Sequence, residues 1–260
     1  HEQDTVRFSN KMCFDLMKDL EDMIAMRTQF VHLYVKDTTE GGNGSFTDYG
    51  LYTQVEQFNK RALQSHGLDK NGQLYKINFF EFYRYEDTIK LTTDPTFDQA
   101  KFDSYLETKG NSDHSKLIEM LEKLNDESQP MEKLLKTYFD VENICYWMAF
   151  QLLTGNADTQ SRNVYLYSPQ NSNVWYLLDW DNDGMLRRKE RELIRFTDAE
   201  SWEWGISNYW CNVLFRRCLQ TASYREALDT AVRELYDYLN ADRIEEMTAH
   251  YRTITEQYIW

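Results

Sequence analysis

Proline and glycine are scarce in this 260-residue chain, at three and ten residues. That scarcity excludes collagen-like repeats and a Gly- or Pro-rich linker protein. Cysteine is also sparse: Cys13, Cys145, Cys211 and Cys218 show no CxxC metal spacing and no dense disulfide framework. Cys13 and Cys145 lie in apolar helical patterns, so most of the four are expected as buried free thiols. Basic charge is in deficit. The 29 Lys and Arg residues against 43 Asp and Glu leave a formal charge of −14. A surface of that sign repels a phosphate backbone, which excludes a general nucleic-acid binder. A local basic patch for one nucleotide stays open. Long apolar runs are missing too, so no transmembrane helix is encoded. The opening stretch HEQDTVRF has neither a basic start nor an apolar core, as a signal peptide would. It starts on His1, and the expectation is that the chain begins inside a larger protein.

What is present is aromatic: 18 Tyr, 14 Phe and 7 Trp residues. A chain so rich in rings is neither a disordered acidic tail nor short of core-forming side chains. Residues 4–26 carry an apolar stripe through Phe8, Cys13, Leu16, Leu20 and Met23, the period of a helix. Strands are expected at 29–35 and in YGLYTQVEQF (49–58), joined by a Gly- and Asn-rich reversal as an antiparallel hairpin. A further short strand follows the Asn71-Gly72 turn. Helices are expected at 97–106, 113–125 and 131–154, the last apolar on nearly all sides and therefore central. RNVYLYSP and VWYLLDW read as two strands around the polar turn QNSN, and the chain is mostly helical from about 207. The fold class is α+β: a small strand-rich region against a larger helical one, with the seam near 57–76.

The chemistry concentrates in LLTGNADTQSRNVYLYSPQNSNVWYLLDWDNDG. Gly155 and Asn156 suit the end of the central helix, because both tolerate left-handed backbone. Asp158 follows in the loop and Asn163 enters the first strand. The second strand delivers Asp179, Asp181 and Asp183 at its end. Two strands joined by a short turn run antiparallel, so the start of the first lies beside the end of the second. Asn163 is thereby brought to Asp181, with Asp158 within reach. Hard oxygen ligands in so small a number suit Mg2+ or Mn2+ completed by substrate phosphates and waters. Two other readings stay open on the residues alone. From Asp179, DWDNDGMLRRKE matches a calcium loop in full, with Gly184 at position six and Glu190 at position twelve, although a strand rather than a helix precedes it. The acidic run also fits a solvated turn.

GNADTQSRNVYLY followed by VWYLLDWDND resembles the signature of the CotH family, atypical protein kinases named after a bacterial spore-coat protein. YGLYTQVEQF, GQLYKI and the tail from NVLFRRCLQ onward are similar to further stretches of that family, so the likeness spans essentially the whole chain. The resemblance implies a protein-kinase-like fold with an incomplete small N-terminal lobe (1–57) and a larger, mainly helical C-terminal lobe (58–260). It implies ATP- and Mg2+-dependent phosphoryl transfer to protein hydroxyls, with Mn2+ as a substitute ion and a nucleotide and a protein as partners. By residue, Asp158 resembles the catalytic-loop aspartate, Asn163 and Asp181 the metal-binding pair, and Asp183 a further metal candidate. The D-x4-N spacing is that of kinase catalytic loops. Gln54, Val55, Glu56 and Gln57 resemble the link between lobes where adenine docks. Glu56 has other readings, as a side-chain support of the cleft or a cap for the helix starting near Phe58. Lys76 is a candidate phosphate contact or an ordinary surface lysine. No glycine-rich hairpin or strand lysine precedes the first helix, so these are expected upstream of His1, in a truncated chain. The alternative function is an inactive, kinase-derived binding or scaffold module. A sugar-binding groove lined by the aromatics is a third reading. The family also suggests a bacterial, envelope or extracellular setting.

Overall fold

The structure is a computed structural model, and it describes residues 4, 8–186 and 202–258. It is a mixed α+β arrangement of two small antiparallel sheets and many helices. Helix α1 (Ser9–Met17) leads into the hairpin of β1 (Thr28–Lys36) and β2 (Phe46–Val55), paired from Thr28↔Val55 to Lys36↔Phe46. The expected hairpin is therefore present. The expected helix over 4–26 is shorter. It stops at Met17 with no basic residue in its last turn, and Asp15, Asp19, Glu21 and Asp22 crowd the negative end of the helix dipole. Residues 18–27 instead run as turns that bury Met23, Ala25 and Met26.

A short helix α2 (Lys60–Ser65) follows, and its N-cap is Asn59, whose side chain accepts from the amides of Arg61 and Ala62. The second sheet combines β3 (Gln73–Ile77), β4 (Leu106–Thr108), β5 (Val164–Ser168) and β6 (Tyr176–Asp179) in the order β4-β3-β5-β6. Helix α3 (Gln99–Tyr105) is one residue shorter than expected at its end, because Leu106 turns extended and opens β4 against β3. That strand has no alternating pattern of its own to announce it. The two expected strands form a β5–β6 hairpin that belongs to this sheet, since β3 pairs with β5 along Gln73↔Ser168 to Lys76↔Tyr165.

Helices α4 (Ser115–Asn125), α5 (Met131–Tyr138) and α6 (Val141–Thr154) form the centre of the helical part. The single helix expected over 131–154 is broken at Phe139 and Asp140, both extended. Two interactions hold the break. Trp175 N–H donates to Tyr138 O at 2.8 Å, tying the corner to the chain before β6. The Asp140 carboxylate accepts from Asn143 N at 2.9 Å and restarts the helix. Helix α6 buries nine of its fourteen residues, as its all-round apolar character requires. Trp147 stacks on Phe215 at 5.5 Å, an example of the side chains that each contribute about 2 kcal/mol by burial. Helices α7 (Val213–Gln220), α8 (Ala222–Tyr238) and α9 (Ala241–Thr255) complete the chain, with α8 along α6. Cys13, Cys145 and Cys218 are buried free thiols and Cys211 is exposed. Among the described residues no helix is long and apolar enough to cross a membrane.

Candidate active site

Helix α6 ends on Gly155, whose left-handed backbone (φ 72°) lets Asn156 N–H return to Gln151 O at 2.9 Å. The chain then enters the loop that carries Asp158. One oxygen of its carboxylate accepts from Arg162 Nε at 2.6 Å, and the other accepts from Asn163 Nδ2 at 3.2 Å. Arg162 also lies over the Phe79 ring at 5.1 Å. The Asp158 side chain stays 46% exposed, open to a reactant.

Val164 pairs with Asp179 in the β5–β6 ladder, so Asn163 and the residues just past Asp179 meet at one end of the hairpin. Asn163 and Asp181 both have left-handed backbone, with φ of 58° and 63°. Such a conformation is uncommon for residues with a side chain, and Asn and Asp are the types that adopt it most readily. The carboxyl of Asp181 is pushed above the usual carboxylate range. Partial burial is the main cause, and the negative charges of Asp183 and Asp158 add to it. Asp158, Asn163, Asp181 and Asp183 thus occupy one locality, although they come from a loop and two strand ends. Among the described residues no group of three or more His, Cys, Asp or Glu is arranged to hold a metal ion. The locality offers carboxylates that repel one another plus an amide, a donor set that a hard divalent cation would relieve.

The calcium-loop reading loses its first ligand here. Asp179 is 2% exposed and points inward, where Gln151 Nε2 donates to its Oδ1 at 2.8 Å. Burial pushes its carboxyl up to about 7, against the opposing influence of Asn182, Gln151 and Trp147. Asn182 and Trp147 approach the carboxylate without closing hydrogen bonds of standard geometry. Glu190, the twelfth position of that pattern, lies outside the described residues.

The remaining expected residues sit nearby in different ways. Lys76 on β3 holds its Nζ 5.1 Å from the ring centre of Trp180, the residue between Asp179 and Asp181. Trp180 meets Tyr165 edge-on at 5.8 Å, and Tyr165 meets Phe58 at 5.4 Å. This ring-to-ring wall runs from the end of segment 54–57 to the carboxylates. Gln54 is paired with Gln29 across the hairpin, Val55 ends β2, and Gln57 is exposed. The Glu56 side chain is engaged with Arg27 and, at 2.7 Å, with His66. Burial raises its pKa, but the hydrogen bonds from Arg27 and His66 prevail and hold it at about 2. Glu56 does not cap the next helix, since Asn59 does. Arg27, Thr28, Gln29, Gln54, Val55 and Glu56 line a groove of about 320 Å³. None of the carboxylates around Asp181 lines that groove.

Sequence reasoning missed Arg162, Gln151, Asn156 as a side-chain participant, and the inward role of Asp179. Two signals were available: a basic residue inside the loop of an acidic chain, and an Asp closing an apolar strand. A family model described as CotH kinase protein matches residues 1–260, which bears out the resemblance over the whole chain. Comparison with curated proteins returns no match.

Proposed function

Because the chain belongs to the CotH kinase protein family, for which kinase-like activity is the family-level function, we propose that it transfers the terminal phosphoryl group of ATP to a hydroxyl of a protein substrate. The observation that carries this reading is the contact of Asp158 with Asn163 at 3.2 Å, with Asp181 close enough to feel the Asp158 charge. Asp158 orients the acceptor hydroxyl and takes its proton as the oxygen–phosphorus bond forms and the bond to the leaving diphosphate breaks. Asn163 and Asp181, with Asp183 beside them, are the residues that would hold Mg2+ or Mn2+. When bound, such an ion supplies neutralisation of the charge on the phosphoryl oxygens. Lys76 is assigned to a phosphate and the backbone of Gln54, Val55, Glu56 and Gln57 to the adenine edge. The side chain of Glu56 is reserved for Arg27 and His66. In this reading residues 1–57 are part of a small N-terminal lobe and 58–260 the larger lobe.

The test is phosphate transfer from labelled ATP to a panel of proteins. Transfer should need Mg2+ or Mn2+, and Asp158→Asn or Asp181→Ala should each lower it by a factor of about 10² or more. Folded protein that transfers nothing to any acceptor refutes the proposal. Nucleotide binding without transfer would assign the chain to the binding-module alternative.

A further inference from the structure

Three buried polar side chains join the end of β6, two residues before Asp181, to the loop that carries Asp158. Asp179, two residues before Asp181, accepts from Gln151 Nε2 at 2.8 Å. Gln151 Oε1 accepts from Asn156 Nδ2 at 2.9 Å. Asn156 Oδ1 in turn accepts from the backbone N–H of Asp158 at 3.3 Å. Gln151, Asn156 and Asp179 are 0%, 5% and 2% exposed, so water does not compete for these bonds. Gln151 belongs to the last turn of α6, which buries nine of its fourteen residues.

We propose that Asp179, Gln151 and Asn156 form a positioning relay that sets the spacing between Asp158 and Asp181. The inference rests on the phosphoryl-transfer reading for its functional consequence, but the relay itself is a statement about geometry. Among the described residues the β5–β6 pairing stops at Val164↔Asp179, and past it a backbone bond from Leu186 N–H to Thr154 O at 2.8 Å also ties the segment of Asp181 to the end of α6. Beyond that point two left-handed residues, Asn163 and Asp181, take the backbone out of regular structure. The end of α6 is the rigid body common to both sides. A single amide, Gln151, presents its donor to one side and its acceptor to the other, which an apolar residue of equal size cannot do. Chains of buried hydrogen bonds of this kind reinforce one another and rigidify what they join. The three are positioning residues, since none reaches the reacting atoms.

Gln151→Met keeps the volume of the side chain and removes both hydrogen bonds. Asn156→Ala removes the link on the loop side alone. Two measurements are made on each variant. Hydrogen exchange at residues 156–160 should accelerate at least about tenfold, while exchange in α8 stays as in the unaltered protein. In the transfer assay, kcat should fall about 10- to 100-fold with KM for Mg·ATP changed less than about threefold, as for outer-shell groups that orient a site. Asn156→Ser, which keeps a hydroxyl acceptor for the Asp158 N–H, should recover part of kcat. Unchanged exchange at 156–160, or a uniform rise across the whole protein with kcat preserved at low temperature, overturns the relay. Unaltered protein that transfers no phosphate defeats the functional reading instead, and the exchange data then decide the relay alone.

Discussion

Asn143→Ala is expected to cost about 3 kcal/mol and to loosen the strand that leads into the acidic cluster. Asn143 is 3% exposed on α6. Its Oδ1 accepts from Leu177 N at 2.7 Å, and its Nδ2 donates to Leu177 O at 3.1 Å and to Asp22 O at 3.0 Å. Leu177 lies on β6, the edge strand of its sheet, so this amide satisfies the side of the strand that no other strand covers. It also fastens the turn region 18–27, where the first helix is shorter than its periodicity suggests. Each bond contributes about 1 kcal/mol net, which sums to about 3 kcal/mol. The two Leu177 groups are buried, so leaving them unpaired pushes the cost upward rather than down. Urea unfolding followed by tryptophan fluorescence reads this as a midpoint lowered by about 1 M at unchanged slope, taking a slope of about 3 kcal/mol/M. Hydrogen exchange at Leu177 should accelerate more than at α8. Asn143→Asp keeps an acceptor for Leu177 N but turns a carboxylate toward two carbonyls, and should lose at least as much. A loss below about 1 kcal/mol for Asn143→Ala, with the Leu177 amide still protected, would refute the reasoning.

Two groups lose their contribution in acid, in separate windows, while Asp179, raised from 3.8 to about 7 by burial, acts in the opposite sense between those values. His114 is fully buried against Phe102, and burial lowers its pKa from 6.5 to about 4, so the unfolded chain takes up its proton first. Its contribution is complete above pH 6.5 and is lost as pH falls toward 4, with a ceiling of about 3 kcal/mol, and His114→Phe should flatten the stability profile there. Glu56, held at about 2 from an ordinary 4.5, contributes above pH 4.5 and loses that contribution as pH falls toward 2. With Arg27 65% exposed, solvent screening limits the Glu56 contribution to about 1 kcal/mol, and Glu56→Gln should remove this second window in acid denaturation. Thiol titration of the native chain with a disulfide reagent should show fast reaction of Cys211. Burial raises the thiols of Cys13, Cys145 and Cys218, which should react only on unfolding; rapid native labelling of Cys145 would contradict its burial.

Much of the site's backbone was legible from the residues. Two β-rich runs around a four-residue polar turn form a hairpin on local grounds, and a hairpin brings the start of its first strand beside the end of its second. That is why the sequence alone puts Asn163 and the residues past Asp179 at one end of the hairpin, as the Val164↔Asp179 pairing does. The Gly155 cap was legible for the same kind of reason, since the end of a helix needs left-handed backbone and glycine supplies it without a steric penalty. The break at Phe139 was not legible. Its cause is Trp175, distant in sequence, whose backbone N–H takes Tyr138 O at the corner where one continuous helix was expected. Strand β4 was invisible likewise, because three residues carry no period and only the edge of β3 recruits them.

By itself, then, the amino-acid order determined the local elements, the central apolar helix and the kinship of the chain, for these follow from periodicity, turn chemistry and motif. Tertiary structure decided which polar groups face inward. Asp179 and Asp181 are alternate residues of one acidic run, yet one is sealed against Gln151 while the other stands beside Asp158. Charge and spacing cannot separate them. What separates them is that a buried polar atom has to find a partner, and its partner comes from wherever the folded chain puts one.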